Sequence, residues 1–278
     1  MSHLTLVPTP IGALHDVTLH ALDVLRNADV VAAEDTRRSG GLLAHHGITT
    51  PLVRLDAHTI PTRGARLLAE HDHVAYVSDA GTPGISDPGA DLLRIALEAG
   101  HTVEALPGPT AFVPALVLSG LPTARFTFEG FLPRKGSARK ARLTAIAERD
   151  HPTAVYEAPG RVAATLRDLA GVCGDTRPAS LSRELSKLHE ETLRGTLASL
   201  ATATHETPPR GECVLVIAGR DEPASDAPST HEALPAHDLA QRLASVGVHG
   251  RTLRDALQAL GVPRNDAYAL AMDQRDDA

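Results

Sequence analysis

Residues 76–89 read YVSDAGTPGISDPG. The run that leads into them, His73-Val74-Ala75-Tyr76-Val77, is apolar and strand-like. It passes directly into Ser78, Asp79 and a loop that holds Gly81, Gly84 and Gly89. Glycine lets a backbone take positive φ and approach a ligand closely. Pro83 and Pro88 fix φ and offer no N–H, so they stiffen that loop and hold it open. In open parallel sheets, ligands bind where strands run out into such loops. The segment is therefore expected to floor a small-molecule site, and helix-compatible residues follow it over 90–99.

The same alternation extends in both directions. Strand-like runs fall at 4–7, 30–33, 51–55, 74–78 and 102–106, with helical stretches at 16–28, 36–46, 63–71 and 91–99. Strands alternating with helices predict an α/β domain with a largely parallel sheet. A second such set begins after Pro122, with extended runs at 126–130, 153–157, 179–183 and 212–218 and helices at 137–149, 161–170 and 196–204. Residues 221–229 turn to Asp, Glu, Pro and Ser and read as a linker. Helical apolar spacing returns at 237–246, 252–260 and 265–272. The expected organisation is an α/β domain over 1–119, a second over 120–222, and a linker with a helix-turn-helix-like extension over 223–278.

Bulk properties narrow the function. The net charge of −7 argues against a protein that coats nucleic acid through its overall field, but it leaves room for a local basic patch. No apolar run is long enough to span a bilayer. Cys173 and Cys213 are too few for a disulfide framework, and the N-terminus enters a strand with no signal-like segment. A reduced, cytoplasmic protein with no membrane or DNA partner is expected. Histidine pairs such as His45-His46 lack supporting Cys or Glu at metal spacing, so no metal is expected.

Several short motifs sit at strand ends in order. They are Thr9-Pro10-Ile11-Gly12, Ala33-Glu34-Asp35-Thr36-Arg37, the stretch 78–89, Leu106-Pro107-Gly108-Pro109-Thr110-Ala111, Tyr156-Glu157-Ala158-Pro159 and Arg183-Glu184-Leu185-Ser186-Lys187. This series resembles the ribosomal RNA branch of the tetrapyrrole methylase family over residues 3–220, and the C-terminal helices resemble that branch's extension. One departure is Ala13, where the family usually carries Asn. The resemblance implies class III methyltransferase architecture, a homodimer, and S-adenosylmethionine held between two α/β domains. It implies 2′-O-methylation of a cytidine ribose in 16S ribosomal RNA or the small ribosomal subunit. The rival expectations are methylation of an anionic tetrapyrrole and a non-catalytic RNA-binding module.

Each motif has a bland reading beside this one. The loop 78–89 lacks G-x-G-x-x-G, so it is no dinucleotide fingerprint. It suits a sulfonium donor, with Pro10, Asp79, Gly81, Thr82, Pro83, Gly84, Ile85, Ser86, Pro109, Thr110, Ala111 and Tyr156 as the donor-binding set. The turn 9–12 either is a plain strand-to-helix turn or marks where substrate meets donor. Thr110 either caps the following helix or faces the donor. Glu34 and Asp35 either cap a helix or wall the site. Glu157, Glu184 and Lys187 are candidates for drawing the proton from a ribose hydroxyl. Arg183 completes the expected catalytic set with these three, and Arg183 and Lys187 read either as an exposed, salt-bridged helix start or as RNA contacts. The segment 133–143, PRKGSARKARL, carries five cations and no acid. It is either a solvated face or a mobile loop that orders on RNA, with Arg134, Lys135, Arg139 and Lys140 joined by Arg37 and Arg161 as RNA-binding candidates.

Overall fold

The computed structural model describes residues 2–220, 236–245, 248–260 and 262–273. Met1–Ala227 form one compact unit and Pro228–Ala278 a second. The first unit contains two five-stranded sheets.

The first sheet holds β1 (His3–Leu6), β2 (Val30–Ala33), β3 (Leu52–Arg54), β4 (His73–Val77) and β5 (Thr102–Ala105) in the order β3-β2-β4-β1-β5. Every pairing in it is parallel, as expected. Parallel sheets are covered on both faces, so the central strands β2 and β4 are largely apolar and alternate residues serve opposite cores. Val31, Ala33, Ala75 and Val77 pack under α1 (Leu19–Asn27) and α2 (Thr36–His45). Val30, Ala32, Val74 and Tyr76 pack under α3 (Ile60–Glu70) and α4 (Gly89–Glu98). Thr18 caps α1 by accepting from the Ala21 N–H, as its sequence position predicts.

The second sheet corrects an expectation. It holds β6 (Thr127–Phe131), β7 (Thr153–Glu157), β8 (Pro178–Arg183), β9 (Glu191–Thr196) and β10 (Cys213–Ile217) in the order β6-β7-β10-β8-β9. Only β6 and β7 are parallel; β10 runs antiparallel to both neighbours, and β8 and β9 form an antiparallel pair. Strand β9 escaped the sequence reading because ETLRGT is half-buried along its whole length and shows no apolar period.

Residues 183–187 do not start a helix. Arg183 closes β8, and Glu184 and Ser186 follow with φ of 51° and 64°. The turn this makes allows β9 to return beside β8.

On one face of the second sheet lie α6 (Gly136–Glu148), α7 (Val162–Cys173) and α8 (Leu197–Glu206), packed on Val155, Leu181 and Leu215. On the other lies α5 (Phe112–Ser119), whose Ala115 and Leu116 meet Ala154, Val214 and Val216. The sequence boundary near 118–122 thus falls at the end of a helix that already packs on the second sheet.

The second unit consists of α9 (Ala236–Ser245), α10 (Gly250–Ala259) and α11 (Arg264–Asp273) around Ala240, Leu253, Leu257, Ala267 and Ala271. The linker expected over 221–229 lies outside the described residues. Among the described residues no helix is long and apolar enough to cross a membrane.

Leu166 of α7 is fully buried in the second core. Leu166→Ala is expected to cost about 2–5 kcal/mol, seen as a lower denaturation midpoint at unchanged slope.

Candidate active site

Turns at the ends of β1, β4 and β5 are laced together by short polar contacts. The Thr9 N–H donates to the Gly81 carbonyl and the Gly81 N–H to the Thr9 carbonyl, both at 2.9 Å. Thr82 Oγ1 donates to the Pro109 carbonyl at 3.0 Å. Asp87 Oδ1 accepts from the N–H groups of Gly84 and Gly89 at 2.8 and 2.7 Å, which sets the shape of the loop. Gly81 and Gly84 take φ of 82° and 92°, the freedom glycine supplies.

The second half joins through Tyr156 and Ser186. Tyr156 Oη accepts from the Phe112 N–H at 3.3 Å. The Gly12 backbone abuts the carbonyl of Ser186, leaving no room for a Cβ. Ser186 Oγ also accepts from the Ala13 N–H at 3.1 Å and donates to Asp16. The departure at Ala13 therefore leaves this backbone turn anchored.

These turns enclose a cavity of about 460 Å³. Of the expected donor-binding set, Asp79, Gly81, Thr82, Ile85, Ser86, Thr110, Ala111 and Tyr156 line it. Pro10 and Pro109 face neighbouring clefts, and Pro83 and Gly84 shape the loop without lining the cavity. Arg38, Phe131 and Glu212 also line it and were not singled out from sequence. Phe131 carried a usable signal, an aromatic at a strand end in a chain with only 3% aromatics.

Two dual readings resolve here. Asp35 caps α2 by accepting from the Arg37 N–H, whereas Glu34 lines the cavity. Thr110 caps nothing, since Ala111 precedes α5 with no side-chain cap, and it faces the cavity instead.

The three candidate bases differ from expectation. Glu157 is buried and already accepts from the Ala158 N–H at 2.9 Å and from Thr165 Oγ1 at 2.6 Å, with Arg161 at 3.2 Å. Glu184 accepts from Lys187 Nζ at 3.0 Å and from the Glu212 N–H at 3.1 Å. Those bonds hold its carboxyl below the usual range, so it is a weak base. Burial alone would lower the Lys187 ammonium, but the hydrogen bonds it donates to Glu184 and Glu212 outweigh burial and keep it above its ordinary value. Lys187 therefore stays charged. Arg183 is paired with Glu191 at 2.6 Å.

Two other carboxylates are better placed. Burial, together with the negative charges of Asp79 and Asp87, raises Glu34 above the usual glutamate range. Asp79 Oδ1 is buried without a hydrogen-bond partner, and its Oδ2 stands 3.7 Å from the Arg38 guanidinium.

From Gly136 the basic segment forms α6, the helix expected at 137–149, while Pro133, Arg134 and Lys135 precede it. Arg139 turns inward, bonding Asp168 at 2.7 Å, Thr165 at 3.0 Å and the Pro133 carbonyl at 3.1 Å. Its guanidinium is not available to RNA. Arg142 is bound to the buried Glu129. Arg161 donates to the Leu132 carbonyl as well as meeting Glu157. Arg134, Lys135 and Lys140 remain exposed, and Arg37 is 89% exposed while bonded to Asp35.

Comparison with known proteins follows the same lines. The family model described as Tetrapyrrole (Corrin/Porphyrin) Methylases matches residues 3–201. "Ribosomal RNA small subunit methyltransferase I" of Synechocystis sp. is 41% identical over all of both chains. The protein of the same name from Xylella fastidiosa is 48% identical over 78% of this chain and 81% of its own. Among solved structures, a uroporphyrin-III C-methyltransferase from Thermus thermophilus complexed with S-adenosylhomocysteine superposes with TM-score 0.57. It is 21% identical and covers 78% of this chain and 97% of its own. An uncharacterised Aeropyrum pernix protein superposes at 0.63 with 23% identity, covering 79% and 85%. At these identities the superpositions show the fold alone.

Arg139→Ala is expected to lower stability by about 1–3 kcal/mol, less than for a fully buried pair because Asp168 is half exposed. Lys140→Ala should stay within about 0.5 kcal/mol. Chemical denaturation of the two variants checks the inward placement.

Proposed function

We propose, from the premise that this chain belongs to the tetrapyrrole (corrin/porphyrin) methylase family, that it moves a methyl group from S-adenosylmethionine to the ribose 2′-oxygen of a cytidine in small-subunit ribosomal RNA. The supporting observation is the cavity made where the turns after β1, β4 and β5 meet the end of β7. Its volume falls within the usual range for small-molecule sites. The residues suit the donor: Glu34, Asp79, Asp87, Glu157 and Glu212 line the cavity against one arginine, a wall that favours a sulfonium cation over a phosphate. The names of relatives at 41–48% identity supply small-subunit ribosomal RNA as the substrate, and the cytidine ribose rests on the motif resemblance.

When bound, S-adenosylmethionine supplies an electrophilic methyl on a sulfur that leaves as a neutral thioether. The ribose 2′-oxygen forms the new C–O bond as the C–S bond breaks and its electron pair stays on sulfur. The hydroxyl proton passes to the Glu34–Asp79 carboxylate pair and then to solvent. No acid is needed at the leaving group. Asp79 also orients the donor, and alignment of oxygen, carbon and sulfur supplies much of the rate. Exposed Arg134, Lys135 and Lys140 contribute phosphate contacts. The chain acts in the cytoplasm as a homodimer; the exposed apolar Val113, Val117 and Leu188 support self-association.

Labelled donor is expected to methylate small ribosomal subunits or their RNA at a cytidine ribose. Incorporation only into a uroporphyrinogen-type tetrapyrrole would overturn the assignment. Asp79→Ala should weaken donor binding by about 10–100-fold in calorimetry, the range for a hydrogen bond to a charged group. Glu34 must be ionised to accept a proton, and its pKa is raised. Turnover should therefore fall as pH drops through a value above the ordinary glutamate range, and Glu34→Gln should abolish that acid limb while slowing transfer.

A further inference from the structure

A second cavity, of about 350 Å³, lies beside the first. The two share Arg38, Ser78 and Asp79 as a common wall. The second is otherwise bounded by the turn after β1 and by α2, through Thr9, Leu14, Ser39 and Leu42.

Thr9 is the unusual member. It is only 4% exposed, and its backbone N–H and carbonyl are both engaged with Gly81. Its Oγ1 is buried with no hydrogen-bond partner. Asp79 Oδ1, on the shared wall, is in the same state. Buried polar atoms in native proteins nearly always have a partner. Valine would fill the Thr9 position with the same volume and no orphaned hydroxyl. Thr9 and Asp79 both line this small cavity and each carries a buried oxygen with no partner; beside a cavity that suits a methyl donor, that pairing calls for a ligand with a hydroxyl. Leu14 and Leu42 give the same cavity an apolar face that suits a sugar or base edge.

The geometry points to this cavity as the pocket for the acceptor nucleotide, with its 2′-hydroxyl held between Thr9 Oγ1 and Asp79 Oδ1. The inference rests on the methyl-transfer reading above and adds where the acceptor enters. Thr9 contacts the hydroxyl and sets its direction toward the shared wall. Arg38 stands at the rim, half exposed, with Asp79 as its ionic contact at 3.7 Å, beyond hydrogen-bond distance. It is open to an RNA phosphate.

The test uses the full chain carrying Thr9→Val, with Thr9→Ser as the conservative partner. Three readouts are needed: thermal midpoint, donor affinity by calorimetry, and kcat and KM with small ribosomal subunits. Thr9→Val should keep or raise the midpoint and bind the donor within twofold of wild type. It should leave KM within threefold and lower kcat at least tenfold, while Thr9→Ser restores most of the turnover. Turnover of Thr9→Val equal to wild type would overturn the pocket and leave the function standing. So would a loss of donor affinity as large as the loss of turnover. If Thr9→Val does not fold, Thr9→Ala removes the same hydroxyl and is read in the same way. A wild-type chain that methylates no RNA at all would overturn the function and this pocket together.

Discussion

The close approach of the Gly12 backbone to the Ser186 carbonyl is the contact on which the site depends. The turn after β1 belongs to the parallel sheet, and the loop 184–190 belongs to the antiparallel one. They meet with no space for even a methyl group between them. Ser186, in the left-handed region, then reaches both the Ala13 N–H and Asp16. The Thr9–Gly81 pair carries the same turn across to the loop after β4. Loops from two separate sheets are thereby fixed relative to one another without a continuous strand between them. Preorganisation of this kind matters where a reaction consists mainly of aligning three atoms.

Charge explains how the carboxylates divide their roles. Glu157, Glu184 and Glu129 are held by internal donors, so their lone pairs are engaged within the protein. Glu34 and Asp79 line the cavity instead, and the negative charge of Asp79 makes the ionised form of Glu34 less favourable. A cationic ligand relieves that repulsion, whereas a phosphate would add to it. The same accounting removes Arg139 from any RNA surface, because its guanidinium is saturated by Asp168, Thr165 and a backbone carbonyl.

The parallel sheet and most of the cavity lining were legible in the sequence, for a local reason. Apolar strands ending in glycine- and proline-rich loops encode both the strand and the turn in contiguous residues, as in 73–89. The antiparallel half was less legible. Its sheet order depends on β9, whose residues carry no apolar period, and on the turn at Glu184–Ser186, which no glycine announces. The fate of charged side chains was hardest to foresee. The acids that engage Arg139 and Lys187, Asp168 and Glu212, lie 29 and 25 residues away in sequence, so only the tertiary structure brings each pair together. Arg38 and Glu212 gave no local signal at all.

The central claim is that one cavity, walled by the turns after β1, β4 and β5 and the end of β7, holds the methyl donor. It is tested most directly by locating bound S-adenosylhomocysteine crystallographically. The account predicts the ligand among Asp79, Thr82, Thr110 and Tyr156, with its sulfur toward the wall formed by Ser78 and Asp79. Well-ordered ligand on any other surface, with this cavity filled only by solvent, would contradict it.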